Sequence, residues 1–178
     1  ESVAIGKQAL YTATTVGANT AVGYQALKLN TAAGNTAVGH SALLNNSSGA
    51  RNLAVGYTAG GLITDGDDNT LIGYQSGNQG TYGIVGGDKN TGLGAYSMGA
   101  SAGAAITGSD NTAIGYNAML EAQGAVANNV AVGSNALLDI TTGSQNVALG
   151  YRTLSNITSG DFNIGIGIDA LFTETVGN

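Results

Sequence analysis

Few residues in this 178-residue chain are of the types that carry out chemistry. The densest cluster is Asp65-Gly66-Asp67-Asp68-Asn69. Asp65, Asp67 and Asn69 place oxygen atoms at alternate positions, the spacing with which a calcium loop begins. The glycine at the sixth position and the distal Glu of such a loop are missing, so the run reads first as a solvated turn. Asp88, Asp110, Asp139, Asp161 and Asp169 are scattered through the rest of the chain. Glycoside hydrolysis needs two facing carboxyl groups about 5–9.5 Å apart, and nothing in the sequence marks such a pair. Hydroxyl side chains are plentiful, but His40 is the single imidazole that could activate one, and there is no Cys. Gly83-Ile84-Val85-Gly86-Gly87 is glycine-rich but lacks the Lys-Ser/Thr and following helix of a phosphate loop.

Tyrosines offer a different chemistry. Tyr24, Tyr57, Tyr74, Tyr116 and Tyr151 each directly follow a glycine. Aromatic rings aligned on one edge could hold sugar rings by apolar contact, with the phenol as the hydrogen-bonding tip. The simpler reading is that they cover a corner or a seam between chains. A second group of candidate ligand-binding residues, Asn78, Tyr82 and Asp88, lies in the irregular middle of the chain.

The elements that position these residues are repeats. Asn19-Thr20-Ala21-Val22-Gly23-Tyr24-Gln25-Ala26-Leu27 returns, with variations, nine more times. The anchor glycines are Gly6, Gly23, Gly39, Gly56, Gly73, Gly94, Gly115, Gly133, Gly150 and Gly167. Most units are 16–18 residues long; the two expanded units, of 21 residues each, lie within 74–115. Residues 1–178 therefore form a single repeat domain. In repeat scaffolds, insertions collect on one face and often bind, which is what draws attention to Asn78, Tyr82 and Asp88.

Each column of the repeat has a physical reading. The residue before the anchor glycine is always a large aliphatic, as in Ile5, Val22 and Val38. The preceding residue is usually Ala, and the one before that is Thr or a branched aliphatic. These are strand formers, and the spacing predicts a strand of about five residues ending at a glycine turn. Adjacent strand residues point to opposite faces. The expectation is that the large column builds the core, and that the Ala column faces outward and is packed closely by other chains. The leading Asn either stacks as an amide ladder or sets the turn before the strand. An Ala-Leu pair after the glycine adds to the core, and an Asn/Thr/Ser/Gly corner closes the coil. The fold expected is all-β, a parallel β-solenoid of about ten coils. At about 4.8 Å per coil it is a rod about 48 Å long.

Composition agrees. The chain has 30 Gly, no Pro and 9% charged residues, yet is 43% hydrophobic. A disordered chain would be charge-rich and poor in aliphatics, and collagen needs Pro and strict Gly periodicity. Without Cys there is no disulfide framework or thiolate zinc site. A net charge of −6 argues against binding nucleic acid. No apolar run reaches the roughly 20 residues that span a bilayer, so direct membrane insertion is not expected. No cofactor and no enzymatic activity are expected.

Ser2-Val3-Ala4-Ile5-Gly6 resembles the head repeat of trimeric autotransporter adhesins, the YadA-like heads. The longer unit at residues 19–27 resembles the repeats of bacteriophage tail fibres. The resemblance covers the whole chain and implies a left-handed parallel β-roll assembled as a homotrimer. It implies an extracellular place, on a virion tail fibre or a bacterial surface, and attachment to a host-surface glycan or protein. The spacing departs from the adhesin heads in being longer. Two other readings are an ice-binding solenoid and a carbohydrate-cleaving tailspike. The first needs a threonine array, of which Thr20, Thr36, Thr70, Thr91 and Thr112 supply one partly filled column. The second needs the acidic pair that is not seen.

Overall fold

The computed structural model describes residues 1–12, 17–79, 82–100 and 103–172. Its strands are short: β1 (Val3–Ile5), β2 (Thr20–Val22), β3 (Thr36–Val38), β4 (Leu53–Val55), β5 (Thr70–Ile72), β6 (Asn78–Gln79), β7 (Tyr82–Gly83), β8 (Thr91–Leu93), β9 (Thr112–Ile114), β10 (Val130–Val132), β11 (Val147–Leu149) and β12 (Ile164–Ile166). All but β6 and β7 join one ten-stranded parallel sheet in chain order. Pairing never slips: Thr20 faces Thr36, Ala21 faces Ala37 and Val22 faces Val38, and so on along the rod. The protein is an all-β parallel solenoid, and among the described residues there is no helix.

The strands are three residues long rather than five, because the anchor glycine ends each one. Gly6 to Gly167 take φ between 117° and 140° at this position, a region closed to residues with a Cβ. A Cβ on Gly23 would also strike the carbonyl of Gly39, and one on Gly39 the carbonyl of Gly56. Backbone angle and close approach between coils therefore both demand glycine. Beyond it the chain runs in turns, not in a second strand. Those turns are still tied to the next coil by backbone hydrogen bonds, such as Leu27 N to Ala42 O at 3.0 Å and Leu137 N to Thr153 O at 2.9 Å.

The two faces of the strands are the reverse of the expectation. The Ala column points inward: Ala21, Ala37, Ala54, Ala113, Ala131 and Ala148 are completely buried within the chain itself. The large column points outward, with Ile5 60%, Val38 37%, Leu93 45% and Leu149 46% exposed. The physical reason is the thinness of the coil. Three columns already fill the interior: the Ala and Leu after the glycine, as in Ala26 and Leu27, and a residue three further on, Asn30, Asn46, Ile63, Ile140 or Ile157. Only a methyl fits between them and the sheet. The Ala column is packed by its own chain, not by neighbouring ones.

Volume is conserved locally. Where Leu71 stands in the Ala column, Gly60 and Gly77 stand in the Leu column on either side, and Gly92 follows in the next coil. A Cβ on any of these three glycines would meet Leu71 Cδ atoms at 2.5–3.1 Å. One leucine crossing the coil from the sheet side thus replaces those missing on the opposite side, at the density that interiors require.

The first expanded unit departs from the coil path as a small antiparallel hairpin, β6 with β7. The chain then rejoins the stack at Ile84 and Ile106, which are bridged in parallel and fully buried.

Candidate functional site

The buried Asn column is structural, and it satisfies both readings of it. Each Asn Oδ1 accepts the backbone N–H of the next Asn, from Asn35 N to Asn19 Oδ1 (2.8 Å) through Asn163 N to Asn146 Oδ1 (2.9 Å). Its Nδ2 donates to a carbonyl at the corner of the following coil, as in Asn52 to Gly66 (2.7 Å) and Asn146 to Gly160 (2.8 Å). Several also donate to the previous Asn Oδ1, as Asn111 does to Asn90 at 3.0 Å. These corner carbonyls mark a second glycine column, Gly49, Gly66, Gly87, Gly108, Gly143 and Gly160. A Cβ on Gly49 would strike the carbonyl of Gly66, and one on Gly66 that of Gly87.

That ladder separates the candidate cation ligands. Asn69 is fully buried among its own kind, whereas the three aspartates lie on the outside of the corner. Asp67 Oδ1 accepts Ala50 N–H at 2.7 Å and Asp88 Oδ1 accepts Asp67 N–H at 2.8 Å. Ser109, Ser144 and Asp161 do the same for their preceding coils. Asp88 is thus one of a column of side chains that cap backbone amides two residues before the Asn. That column was readable from the shared offset but is broken by Gly17, Ala33, Ala50 and Ala127. Asp65 accepts from the Thr64 hydroxyl at 2.9 Å. Arg51 holds Asp68 through two hydrogen bonds, 2.6 and 2.8 Å, and reaches Asp67 at 3.2 Å. The guanidinium depresses the Asp68 carboxyl below the usual range, and the Arg51 pKa rises in return. Among the described residues no group of three potential ligands could hold a metal ion.

Asn78 is turned inward, its Nδ2 donating to the Thr58 carbonyl at 2.8 Å. Tyr82 pairs through its backbone with Gln79 in the hairpin; its side chain lies outside the described residues.

The tyrosines behave differently. Tyr24, Tyr57, Tyr74 and Tyr116 are 41–54% exposed and stand along one corner of the rod. With His40 they form a ladder: Tyr24 to His40 4.9 Å between ring centroids, His40 to Tyr57 5.0 Å, and Tyr57 to Tyr74 5.3 Å. The interplanar angles fall from 31° to 10° along that stretch. Ala95 would interrupt the ladder, but Tyr96, one residue on, swings into the gap. It meets Tyr74 at 5.4 Å and 75°, and Tyr116 at 6.0 Å and 84°. Sequence reading missed Tyr96 because it stands in the neighbouring column, filled elsewhere by polar residues: Gln, Ser, Thr, Asn, Arg and Asp. Burial raises its phenol pKa, and the Tyr74 and Tyr116 phenols add to the shift. Tyr151 is apart from the ladder, with the Arg152 guanidinium 5.8 Å from its ring centroid.

What the ladder can do follows from its geometry. Rings from Tyr24 to Tyr74 lie over one another and leave the three tyrosines about half exposed. Tyr96, perpendicular to both neighbours, breaks that pattern. His40 Nδ1 lies 3.0 Å from Ser41 Oγ, but Ser41 is buried, so the pair anchors the imidazole in the stack and does not present a nucleophile.

The second surface is the outer face of the sheet. Its two outward columns are aliphatic or Thr throughout. Compared with known proteins, the chain matches no family model, no curated protein and no solved structure.

Proposed function

We propose that this chain is a segment of a non-catalytic homotrimeric fibre, projecting from a virion or cell and attaching to a host-surface glycan or protein. The observation that carries the reading is the outward aliphatic face of the sheet. Ten strands, each about 10 Å long and about 4.8 Å apart, give it a footprint of about 480 Å². That is within the range of about 300–600 Å² of the largest apolar patch on a typical soluble protein, and patches of that size are often functional. Three rods sharing this face around an axis remove it from solvent. The support for a trimer is thus the Val/Ile/Leu column, not the Ala column. Display of three copies of the tyrosine edge raises avidity through effective concentration.

Light scattering is the first test: the expected mass is three times 17.5 kDa, and a monomer at micromolar concentration defeats the assembly. Binding to a glycan array or to host cells is the second. Tyr57→Ala with Tyr116→Ala is expected to reduce it, and equal binding by this variant would remove the ladder from the contact.

One observation favours a second reading. Thr20, Thr36, Thr70, Thr91 and Thr112 all stand on the outward side of an in-register parallel sheet, where an ice-binding threonine array would stand. The adjoining column is aliphatic, so no paired threonine ladder forms. Thermal hysteresis of a dilute solution decides it: its presence favours ice binding over the fibre.

A further inference from the structure

We propose that Tyr57 and Tyr74 form a site of oxidative cross-linking, at which a one-electron oxidant joins two successive coils by a covalent bond between the rings. The inference does not depend on the fibre reading; it rests on the ladder itself.

Tyr57 and Tyr74 are the one pair of tyrosine rings that stack in parallel among the described residues, 5.3 Å apart at 10°. The two are equally open to an oxidant, 45% and 46% exposed. Their backbones are held in register on both sides. Gly73 N donates to Val55 O at 2.8 Å, and Gln75 N to Tyr57 O at 2.9 Å. Centroids 5.3 Å apart keep the ortho carbons of the two phenols within reach, and rotation of the rings about their side-chain torsions turns an ortho edge of one toward the other. Other contacts lack this geometry. Tyr24 is separated from Tyr57 by His40, and Tyr96 stands perpendicular to both of its neighbours. Tyr11 and Tyr151 are at least as exposed as the pair but have no tyrosine ring stacked on them among the described residues.

The step balances with hydrogen peroxide as oxidant and a haem peroxidase as its catalyst. Each phenol loses one electron and one proton, giving two phenoxyl radicals whose spin density lies ortho to oxygen. One carbon–carbon bond forms between the ortho carbons. The two ortho hydrogens then move to the oxygens and restore both phenols. Two hydrogen atoms leave the protein in all, and one peroxide becomes two waters. The product staples the fourth coil to the fifth.

The test treats the intact chain, dilute, with peroxidase and hydrogen peroxide. Trypsin cuts after Arg51 and Lys89, releasing residues 52–89 as one fragment. The expected product is that fragment two hydrogens lighter, with dityrosine fluorescence and no backbone fragment ions between Tyr57 and Tyr74. Tyr57→Phe and Tyr74→Phe should each abolish both signals, while Tyr151→Phe should leave them unchanged. Phenylalanine keeps the stack, so loss of signal is not loss of fold; circular dichroism of each variant checks this. Absence of dityrosine in the folded wild type overturns the proposal. So does cross-linking chiefly between chains, or persistence of the link in Tyr57→Phe.

Discussion

A Cβ placed on Gly77 would lie 2.5 Å from Leu71 Cδ1: the leucine occupies the volume that a larger residue at 77 would need. Gly77→Ala should therefore cost about 1–3 kcal/mol through overpacking, part of it the positive φ of 68° at this position. Adding Leu71→Ala should recover the steric part. Urea midpoints of the two single variants and the double variant measure the coupling. Strictly additive effects would show that the two side-chain volumes are not linked.

The interior of the Asn ladder should be intolerant of apolar replacement. Asn111 accepts from Asn129 N at 3.1 Å and donates to Val126 O at 2.8 Å and Asn90 Oδ1 at 3.0 Å. Asn111→Leu strands buried partners on both sides, at about 1–3 kcal/mol for each group left unsatisfied. A loss of at least about 3 kcal/mol in denaturant unfolding is expected. A near-neutral result would mean that the ladder contributes little.

Thr58 is a weak point of the native sequence. It holds φ at 52° although β-branched, and its buried Oγ1 finds no hydrogen-bond partner among the described residues. Asn117 and Asn135 occupy the same column, and Asn tolerates left-handed angles better than Thr. Thr58→Asn should stabilise the protein by about 1 kcal/mol, read as a higher thermal midpoint.

The outer face should govern assembly without governing the coil. Leu93 is exposed on the outward side of the sheet, so Leu93→Lys should change the stability of a single chain by less than about 0.5 kcal/mol. In the proposed trimer it places three like charges in an apolar seam, and dissociation is the expected outcome. Light scattering and circular dichroism on the same sample separate the two effects. A variant that remains trimeric would place the interface elsewhere.

Asp139 gives a pH signature. Burial raises its pKa above the ordinary aspartate value, and Glu121 adds to the shift. An acid whose folded pKa is raised binds its proton more tightly in the native state. Its ionisation therefore withdraws stability as pH rises from the unfolded pKa through the folded one. Asp139→Asn should raise the thermal midpoint near neutral pH, and the gain should fade below about pH 4, where the acid is protonated in both states. A gain independent of pH would assign the effect to packing.

Sequence alone determined the architecture, for reasons visible in individual columns. The anchor glycines from Gly6 to Gly167 require a repeated left-handed corner. The Thr-Ala-Val triplets require a strand, and constant spacing requires that the strands stack in register. The exposed corner tyrosines were also legible, since each follows an anchor glycine. What the sequence could not decide was which side of a three-residue strand is the inside. Alternation says only that Ala21 and Val22 point opposite ways. The tertiary structure chose Ala, because Leu27 and Asn30 already fill the thin coil, and it turned Val22 and its column outward. Tyr96 was likewise out of reach, since it enters the aromatic ladder from the neighbouring column across the gap left by Ala95. The roles of Asp67 and Asp88 were hidden for a related reason. Their acceptors face backbone amides one coil away, 17 and 21 residues distant in the chain, and only stacking brings those amides to them.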